Sequence, residues 1–328
     1  MFKKESLAII IPAYKPEYLY KTLDSIAKQT VRNFHLYIGD DDSPYNLESI
    51  VDKFKDKITL TYVKFSENLG SNDLVAHWNR CISLSREEKY IWLFSDDDIM
   101  GPKCVEEFFR TPEEIRDQCL YHFNLFIINH IVNDKKNFVI ESTTNFPLRL
   151  TAVDYIKERY INGLKCYAVE FVFTREIYNE LGGFLKFDLA WGSDILTWFK
   201  MASALKYGIY TGNCQYDASV FWRRSSVNLT PKRTPDIYYR KMKATFDNAV
   251  FLKTELERFP ISKKEKNSLL EFPLDAFMSC YNILPFKKVI GLYFSYLKKF
   301  GPSLKYSKSM AYYVLRRVLY LLKVDTRK

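Results

Sequence analysis

The chain has 328 residues, of which 47% are hydrophobic and 16% aromatic, a composition too apolar for a disordered polymer and a length that calls for one large domain plus a second unit. Its net charge of +10 is unevenly placed: of 49 basic and 39 acidic residues, 21 and 8 fall in 231–328, so the first 230 residues carry a slight acidic excess. The basicity belongs to the tail, and with no nucleic-acid-binding module beside it, nucleic acid is not an expected partner.

"LAIII" (7–11) is a short β-branched run that reads as a buried strand; after Pro12 and Pro16 a helix follows with Leu19, Leu23, Ile26 and Ala27 on one face. "FHLYIG" (34–39) reads as a second strand, 47–54 as helical, "ITLTYV" (58–63) as a strand, 72–84 as a helix and "YIWLF" (90–94) as a strand. Strands alternating with helices need crossover connections, which predicts an α/β domain around a mainly parallel sheet. Past 110 the alternation loosens: 119–131 and 137–141 read as strands, 151–161 as a helix, 167–174 as a strand, 193–207 as a helix and 218–222 as a strand. From 231 the pattern is helical, punctuated by Pro235, Pro260, Pro285 and Pro302, so the expected division is a catalytic domain over 1–230 and a basic helical region over 231–328.

The apolar run at the start stops at Pro12, and no later stretch reaches the length of a membrane span, so neither a signal peptide nor a transmembrane segment is expected. Cys81, Cys104, Cys119, Cys166, Cys214 and Cys280 contain no CxxC pair, which fits buried thiols in a reducing compartment, the cytoplasm. Four histidines, His35, His77, His122 and His130, form no HExxH, which argues against a zinc hydrolase.

In open parallel sheets, ligands bind beyond the carboxyl ends of the strands. Asp40, Asp41 and Asp42 follow one expected strand and Asp96, Asp97 and Asp98 another, so two carboxylate clusters should meet on one rim. Like charges so close repel and raise one another's pKa, and a dication would offset that. Oxygen donors favour Mg²⁺ or Mn²⁺. The chain reads "PAYKPEY" after its first strand, with neither GxGxxG nor GxxxxGK[ST], which removes the common glycine-rich phosphate cradles. The competing readings are ordinary: a solvated turn and helix cap for Asp96–Asp98, an Asx turn before Pro44 for Asp40–Asp42.

"IIIPAY", "LDSIAKQT", "IGDDDSP", "NLGSN", "FSDDDI", "LGGF", "WGSDILTW" and "FWRRSSVNLT", in this order over about residues 6–230, resemble the family 2 glycosyltransferases of GT-A fold. The resemblance implies a nucleotide-sugar site built from Pro12, Tyr14, Asp40, Asp41, Asp42, Asn68, Gly70, Asp96, Asp97, Arg223 and Arg224, with Asp40 at the base or ribose. It implies Mn²⁺ or Mg²⁺ on Asp97 with Asp98 beside it, or on Asp96 and Asp98 if the register moves by one. It makes Asp194 the base of an inverting transfer, although Ser193 stands where the family carries Glu, Asp42 where it often has Gly, and Ser95 where it often has Asp. The expected partners are a nucleotide-diphosphate sugar and a glycan acceptor, a lipid-linked surface-polysaccharide precursor being the reading that accounts for the tail. Two rivals remain: a sugar-phosphate nucleotidyltransferase, and a non-enzymatic nucleotide-sugar binder of the same fold.

Arg223 and Arg224 are candidates for bidentate phosphate contacts. Trp191 and Trp222 are read as core aromatics in preference to sugar platforms, and His77, Trp78 and Asn79 as packing residues. From 283 to 328 eleven basic residues face Asp325 alone, and Ala311, Val314, Leu315, Val318, Leu319 and Leu322 repeat at helical spacing. Such a helix suits the surface of an anionic membrane, placing the protein peripherally on the inner face of the plasma membrane, or a dock on the catalytic domain or a second subunit.

Overall fold

The computed structural model describes residues 7–129, 139–143, 146–213, 215–224, 234–278 and 284–321. Cys214, Cys280, His130 and Leu322 lie outside them, as does most of the run after Arg224. Two compact units divide the chain: one comprises residues 1–186 and 193–229, the other 187–192 and 230–328.

In the first unit the apolar runs become strands where expected: β1 Leu7–Ala13, β2 Phe34–Asp40, β3 Leu60–Lys64 and β4 Tyr90–Leu93, separated by α1 Leu19–Ala27, α2 Glu48–Val51 and α3 Leu74–Ile82. There follow β5 Ile99–Met100, α4 Cys104–Arg110, α5 Glu113–Arg116, β6 Leu120–His122, β7 Leu125–Asn129, β8 Val139–Thr143, β9 Arg149–Leu150, α6 Ala152–Tyr160, β10 Phe171–Thr174, α7 Arg175–Glu180, α8 Ser193–Ala204, β11 Ile209–Thr211 and β12 Val220–Arg224. The large sheet runs β3-β2-β1-β4-β10-β6-β11-β9, and a second sheet β5-β12-β7-β8. From β3 to β4 all pairings are parallel, while β10 runs antiparallel between β4 and β6. The unit is therefore an α/β fold on a mainly parallel mixed sheet.

The central strands are buried on both faces, which is why they read as unbroken apolar runs. The expected face of α1 (Leu19, Leu23, Ile26, Ala27) is buried as well, and Cys81, Cys104, Cys119 and Cys166 are free, buried thiols. Two strand expectations change. The segment 119–131 breaks at Phe123–Asn124 and feeds two different sheets. The segment 167–174 is strand only from Phe171, because the Glu170 side chain turns back to accept the Tyr167 N–H at 2.6 Å and holds 168–170 in a 3₁₀ turn.

Pro12 decides where the sheet opens. The β1–β4 register ends at Ile10↔Leu93, with Phe94 N–H bonded to the Ile10 carbonyl at 2.8 Å, and Pro12 has no N–H with which to extend a ladder. Beyond it β1 pairs only with β2, up to Ala13↔Asp40. The β1–β4 ladder stops before Pro12, and the segment after β1 meets the one after β4 through the Tyr14 and Lys15 N–H groups, both bonded to Asp96.

The second unit contains α9 Pro235–Leu256, α10 Lys263–Met278, α11 Phe286–Phe300 and α12 Leu304–Leu321, closed over Phe246, Leu252, Leu269, Phe277, Val289 and Tyr296. Gly301, at φ 77°, turns the chain out of α11 in a conformation that a Cβ would strain. Segment 187–192 is held to α9 by the Arg240–Asp188 ion pair, with the shortest contact at 2.6 Å, and by Asn248 Nδ2–H donating to the Trp191 carbonyl at 2.9 Å. Trp191 is not a core aromatic: it is 42% exposed, its Nε1–H donating to Thr245 and the Lys241 ammonium 4.3 Å over its ring. Of the stripe expected in 311–322, Leu315 and Val318 are 54% and 45% exposed, and the buried positions of α12 are Tyr306, Met310 and Tyr313. Among the described residues no helix is long and apolar enough to cross a membrane.

Candidate active site

Three strand ends in the first unit supply the rim. After β2, the consecutive acids of Asp40–Asp42 part company. Asp40 is wholly buried, accepting from Ser43 N–H at 2.7 Å and Tyr62 O–H at 2.5 Å. Asp41 accepts from the backbone N–H groups of Leu69 (2.9 Å) and Gly70 (2.8 Å) and from the Arg80 guanidinium, with His77 Nδ1 3.3 Å away. Burial first, with the Arg80 charge adding and Asp41 opposing, lowers His77 to about 4, so the ring is neutral. Only Asp42 reaches solvent, with its side chain 48% exposed and 3.9 Å from the Lys64 ammonium. Its φ of 52° is in the left-handed region, where glycine sits without strain and Asp is among the better-tolerated alternatives.

Asn68 and Gly70 serve that loop. Asn68 Nδ2–H donates to the Asp41 carbonyl at 3.0 Å, and Asn68 Oδ1 accepts from Ser71 N–H. A Cβ on Gly70 would lie 2.6 Å from Asp41 Oδ2, so the chain can fold over Asp41 only as glycine.

Past β4, Ser95 organises the second cluster. Its Oγ lies 3.4 Å from Asp97 N and 3.2 Å from Asp98 N, accepting from both, and is 2.9 and 2.7 Å from Asp97 Oδ1 and Asp98 Oδ2. Asp96 Oδ2 accepts the N–H groups of Tyr14 and Lys15, both at 2.9 Å. Asp98 Oδ1 accepts from Arg223 N–H at 2.7 Å, so its two oxygens are both engaged and it is 1% exposed. Asp97, 9% exposed, has Oδ2 3.2 Å from the Lys15 ammonium.

Burial pushes Asp96 up to about 6, the Lys15 charge opposing and the Asp97 charge adding. Burial also holds Asp98 well above the usual carboxylate range, again with Asp97 adding. Burial works against the Lys15 ammonium, but Asp96, Asp97 and Asp98 outweigh it and raise its pKa.

Tyr14, 37% exposed, joins the two acid loops, its N–H on Asp96 and its carbonyl accepting from Ser43 O–H at 2.7 Å. Arg223 is buried beneath the cluster, Nε–H donating to the Asp97 carbonyl at 2.8 Å and the guanidinium 4.3 Å from the Tyr18 ring; Arg224, next along β12, is exposed. Trp222 is half-buried and stacked on Tyr167 at 3.9 Å.

Asp194 starts α8. Burial raises its pKa, with the Ile195 N–H and the Arg159 charge opposing. Glu170 is acted on by the charges of both Asp194 and Asp98. Glu170 Oε2 is 2.8 Å from His122 Nε2, and both side chains are fully buried. Burial raises Glu170 well above its ordinary value and lowers His122 to about 3, both shifts favouring the neutral forms.

Sequence reasoning passed over several of these residues. Thr22, Ser25 and Gln29 are polar on the buried side of α1, and they pin the acid loop. Thr22 O–H donates to the Asp98 carbonyl at 2.7 Å, Ser25 Oγ accepts from Met100 N–H, and Gln29 bonds Gly101 O and Val105 N. Their spacing on one helical face was visible; their partners some 75 residues away were not. Asn79, read as packing, accepts from Tyr178 O–H and Phe184 N–H and so fixes the "LGGF" turn.

Among the described residues no three His, Cys, Asp or Glu side chains are gathered as a metal cage. Mg²⁺ and Mn²⁺ need none when phosphate oxygens and water complete their shell around one or two carboxylates. Asp97, whose Oδ2 meets the Lys15 ammonium, fits that use. Asp98 is engaged on both oxygens, by Arg223 N–H and Ser95 Oγ.

An α/β unit on a mainly parallel mixed sheet, with carboxylates past its central strands, is the architecture shared with solved GT-A glycosyltransferases. The structure is similar to residues 1–349 of S. aureus TarS crystallised with UDP-GlcNAc, with TM-score 0.58 and 15% identity over 87% of this chain and 79% of that one. Residues 8–182, more than half of the chain, match the model of glycosyl transferase family 2. The chain belongs to that family. It is 30% identical over 139 residues to an uncharacterized glycosyltransferase of Methanocaldococcus jannaschii, covering 41% of this chain and 47% of that one. It is 27% identical over 184 residues to glycosyltransferase GlyG of Streptococcus pneumoniae, covering 54% and 59%. The match thus spans about half the length of these curated relatives.

Proposed function

We propose that the chain transfers a sugar, with inversion, from a nucleotide-diphosphate donor to a glycan acceptor, using Mn²⁺ or Mg²⁺ at Asp97. The observation that carries this reading is the Asp97 carboxylate, whose oxygens are met by Ser95 Oγ and the Lys15 ammonium, in a loop fixed by Arg223 and Thr22. A dication bound there would act as a Lewis acid on the departing diphosphate. The protein's own part is to present that single carboxylate while Asp96 and Asp98 are held in place by backbone donors.

The loop of Asp42 and Asn68–Gly70 borders the rim on the nucleoside side, where Asp42 is the carboxylate that can meet a ligand. Arg224 is the exposed guanidinium at the other border, available to a phosphate. Asp194, its pKa raised by burial, has the character of a general base that takes the acceptor hydroxyl proton as that oxygen attacks. The S. aureus relative in fold was crystallised with UDP-GlcNAc, which supports a nucleotide-sugar donor here. The second unit's helices, basic and with exposed apolar side chains, support a lipid-linked acceptor at an anionic membrane surface.

A panel of UDP, GDP and dTDP sugars, assayed with Mn²⁺ and with EDTA for release of nucleoside diphosphate, tests the reading. Turnover with at least one donor, lost in EDTA, is expected. Asp194→Asn should lower kcat by about 100-fold or more while leaving donor affinity unchanged. A protein that binds donors but responds to neither change is a binder and not a transferase.

A further inference from the structure

Lys15 does three things at one corner of the rim. Its backbone N–H bonds Asp96, its ammonium lies 3.2 Å from Asp97 Oδ2, and its charge sits within reach of all three acids. Both partners of the Lys15–Asp97 pair are near solvent without being free in it, with side chains 16% and 12% exposed. An ion pair so placed is held closely enough to matter and loosely enough to open. Lys15 is the second residue after β1, so its ammonium is anchored at the strand end beside the acid cluster.

We propose that Lys15 is an exchangeable counter-ion: it neutralises Asp97 in the empty protein, yields that carboxylate to the dication when the donor arrives, and transfers its own charge to the donor's diphosphate. This deepens the proposed function and rests on it. Two opposite consequences follow. Against a dication alone the lysine is a competitor, since the ion must displace one positive charge and meet its repulsion. Against the nucleoside diphosphate it is a ligand, adding a positive charge at the phosphates. A lysine that merely shapes the loop would not help one ligand and hinder the other.

The experiment compares the wild type with Lys15→Met, Lys15→Gln and Lys15→Arg. The two neutral variants leave the residue-15 N–H on Asp96 intact, and thermal melts confirm folding; either one suffices if the other does not fold. Mn²⁺ affinity without nucleotide is read by electron paramagnetic resonance of the free ion, and UDP and GDP affinity in the presence of Mn²⁺ by calorimetry. The neutral variants should bind Mn²⁺ alone about tenfold more tightly and the nucleotide about tenfold more weakly, whereas Lys15→Arg stays near wild type on both. Unchanged Mn²⁺ affinity in a folded neutral variant overturns the exchange, and so does nucleotide affinity that rises in parallel with it. If the wild type binds Mn²⁺ in neither condition, the metal-dependent reading itself has failed, which is a different result from a wild type that binds Mn²⁺ with nucleotide and variants that match it.

Discussion

At the scale of single residues, two runs of three aspartates become six different environments. Asp41, 2% exposed, holds two backbone N–H groups and Arg80, so removing its charge leaves buried donors without an acceptor. Asp41→Ala should cost about 3 kcal/mol in chemical denaturation, whereas Asp42→Gly, at φ 52°, should leave stability unchanged or slightly higher. The reverse order would mean the loop is not held through Asp41. Nothing in the letters DDD separates these positions, because the difference is made by Leu69, Gly70 and Arg80, which reach Asp41 from α3 and the loop before it. The Gly preference at position 42 did carry a signal: it marks a left-handed backbone, and Asp42 adopts one.

Glu170 makes a pH prediction with a definite sign. Its folded pKa is raised by burial, so above the ordinary glutamate range the folded chain keeps a proton that the unfolded chain has released. Stability contributed by this group is therefore complete at low pH and lost as pH rises. Glu170→Gln keeps an N–H donor for His122 and an oxygen for Tyr167 N–H without a titrating proton. Its stability relative to wild type should climb with pH above about 5, by up to about 1.4 kcal/mol per pH unit. Parallel denaturation curves from pH 5 to about 8 would show that Glu170 is already ionised in the fold.

At the scale of elements, the strands were legible and their partners were not. β1, β2 and β4 announce themselves as apolar runs because both faces of a parallel sheet are covered, and the acids mark their carboxyl ends. The division of 119–131 into two strands was invisible, since a continuous apolar run says nothing about which sheet each half joins. α1 shows what amphipathic reading omits. Its apolar stripe was found, but Thr22, Ser25 and Gln29 are equally buried and serve the loop that carries Asp96–Asp98. Gln29→Ala removes the acceptor of Val105 N–H and one of the two donors to Gly101 O, which keeps the Cys104 N–H. The expected loss is about 1–3 kcal/mol in chemical denaturation, and if the proposed transfer is right, turnover falls as well, because the acid loop is what slackens. Lys28→Ala, which opens only an exposed pair with Asp24, should change neither; equal effects of the two substitutions would remove α1 from this role.

At the scale of the whole molecule, the charge map drawn from the sequence is the feature with the widest consequence. The first unit can hold an anionic donor only through local cations, since 1–230 is slightly acidic, while the tail supplies a long-range field of its own. The helices α11 and α12 leave Phe294, Leu304, Tyr312, Leu315 and Val318 exposed among Lys298, Lys299, Lys308, Arg316 and Arg317. Apolar side chains set among cations can enter a headgroup region while the charges draw the helix to anionic lipid, and the electrostatic part of that attraction is screened by salt. The chain should therefore sediment with phosphatidylserine-containing vesicles, much less with phosphatidylcholine alone, and come off in about 1 M salt. Leu315→Glu with Val318→Glu should weaken sedimentation without altering soluble-substrate turnover, because these positions lie outside the unit that carries the acid rim. Equal recovery from both kinds of vesicle, or sedimentation unaffected by the two glutamates, would assign the exposed stripe to a protein partner, a second copy of this chain being the first to examine by sedimentation velocity.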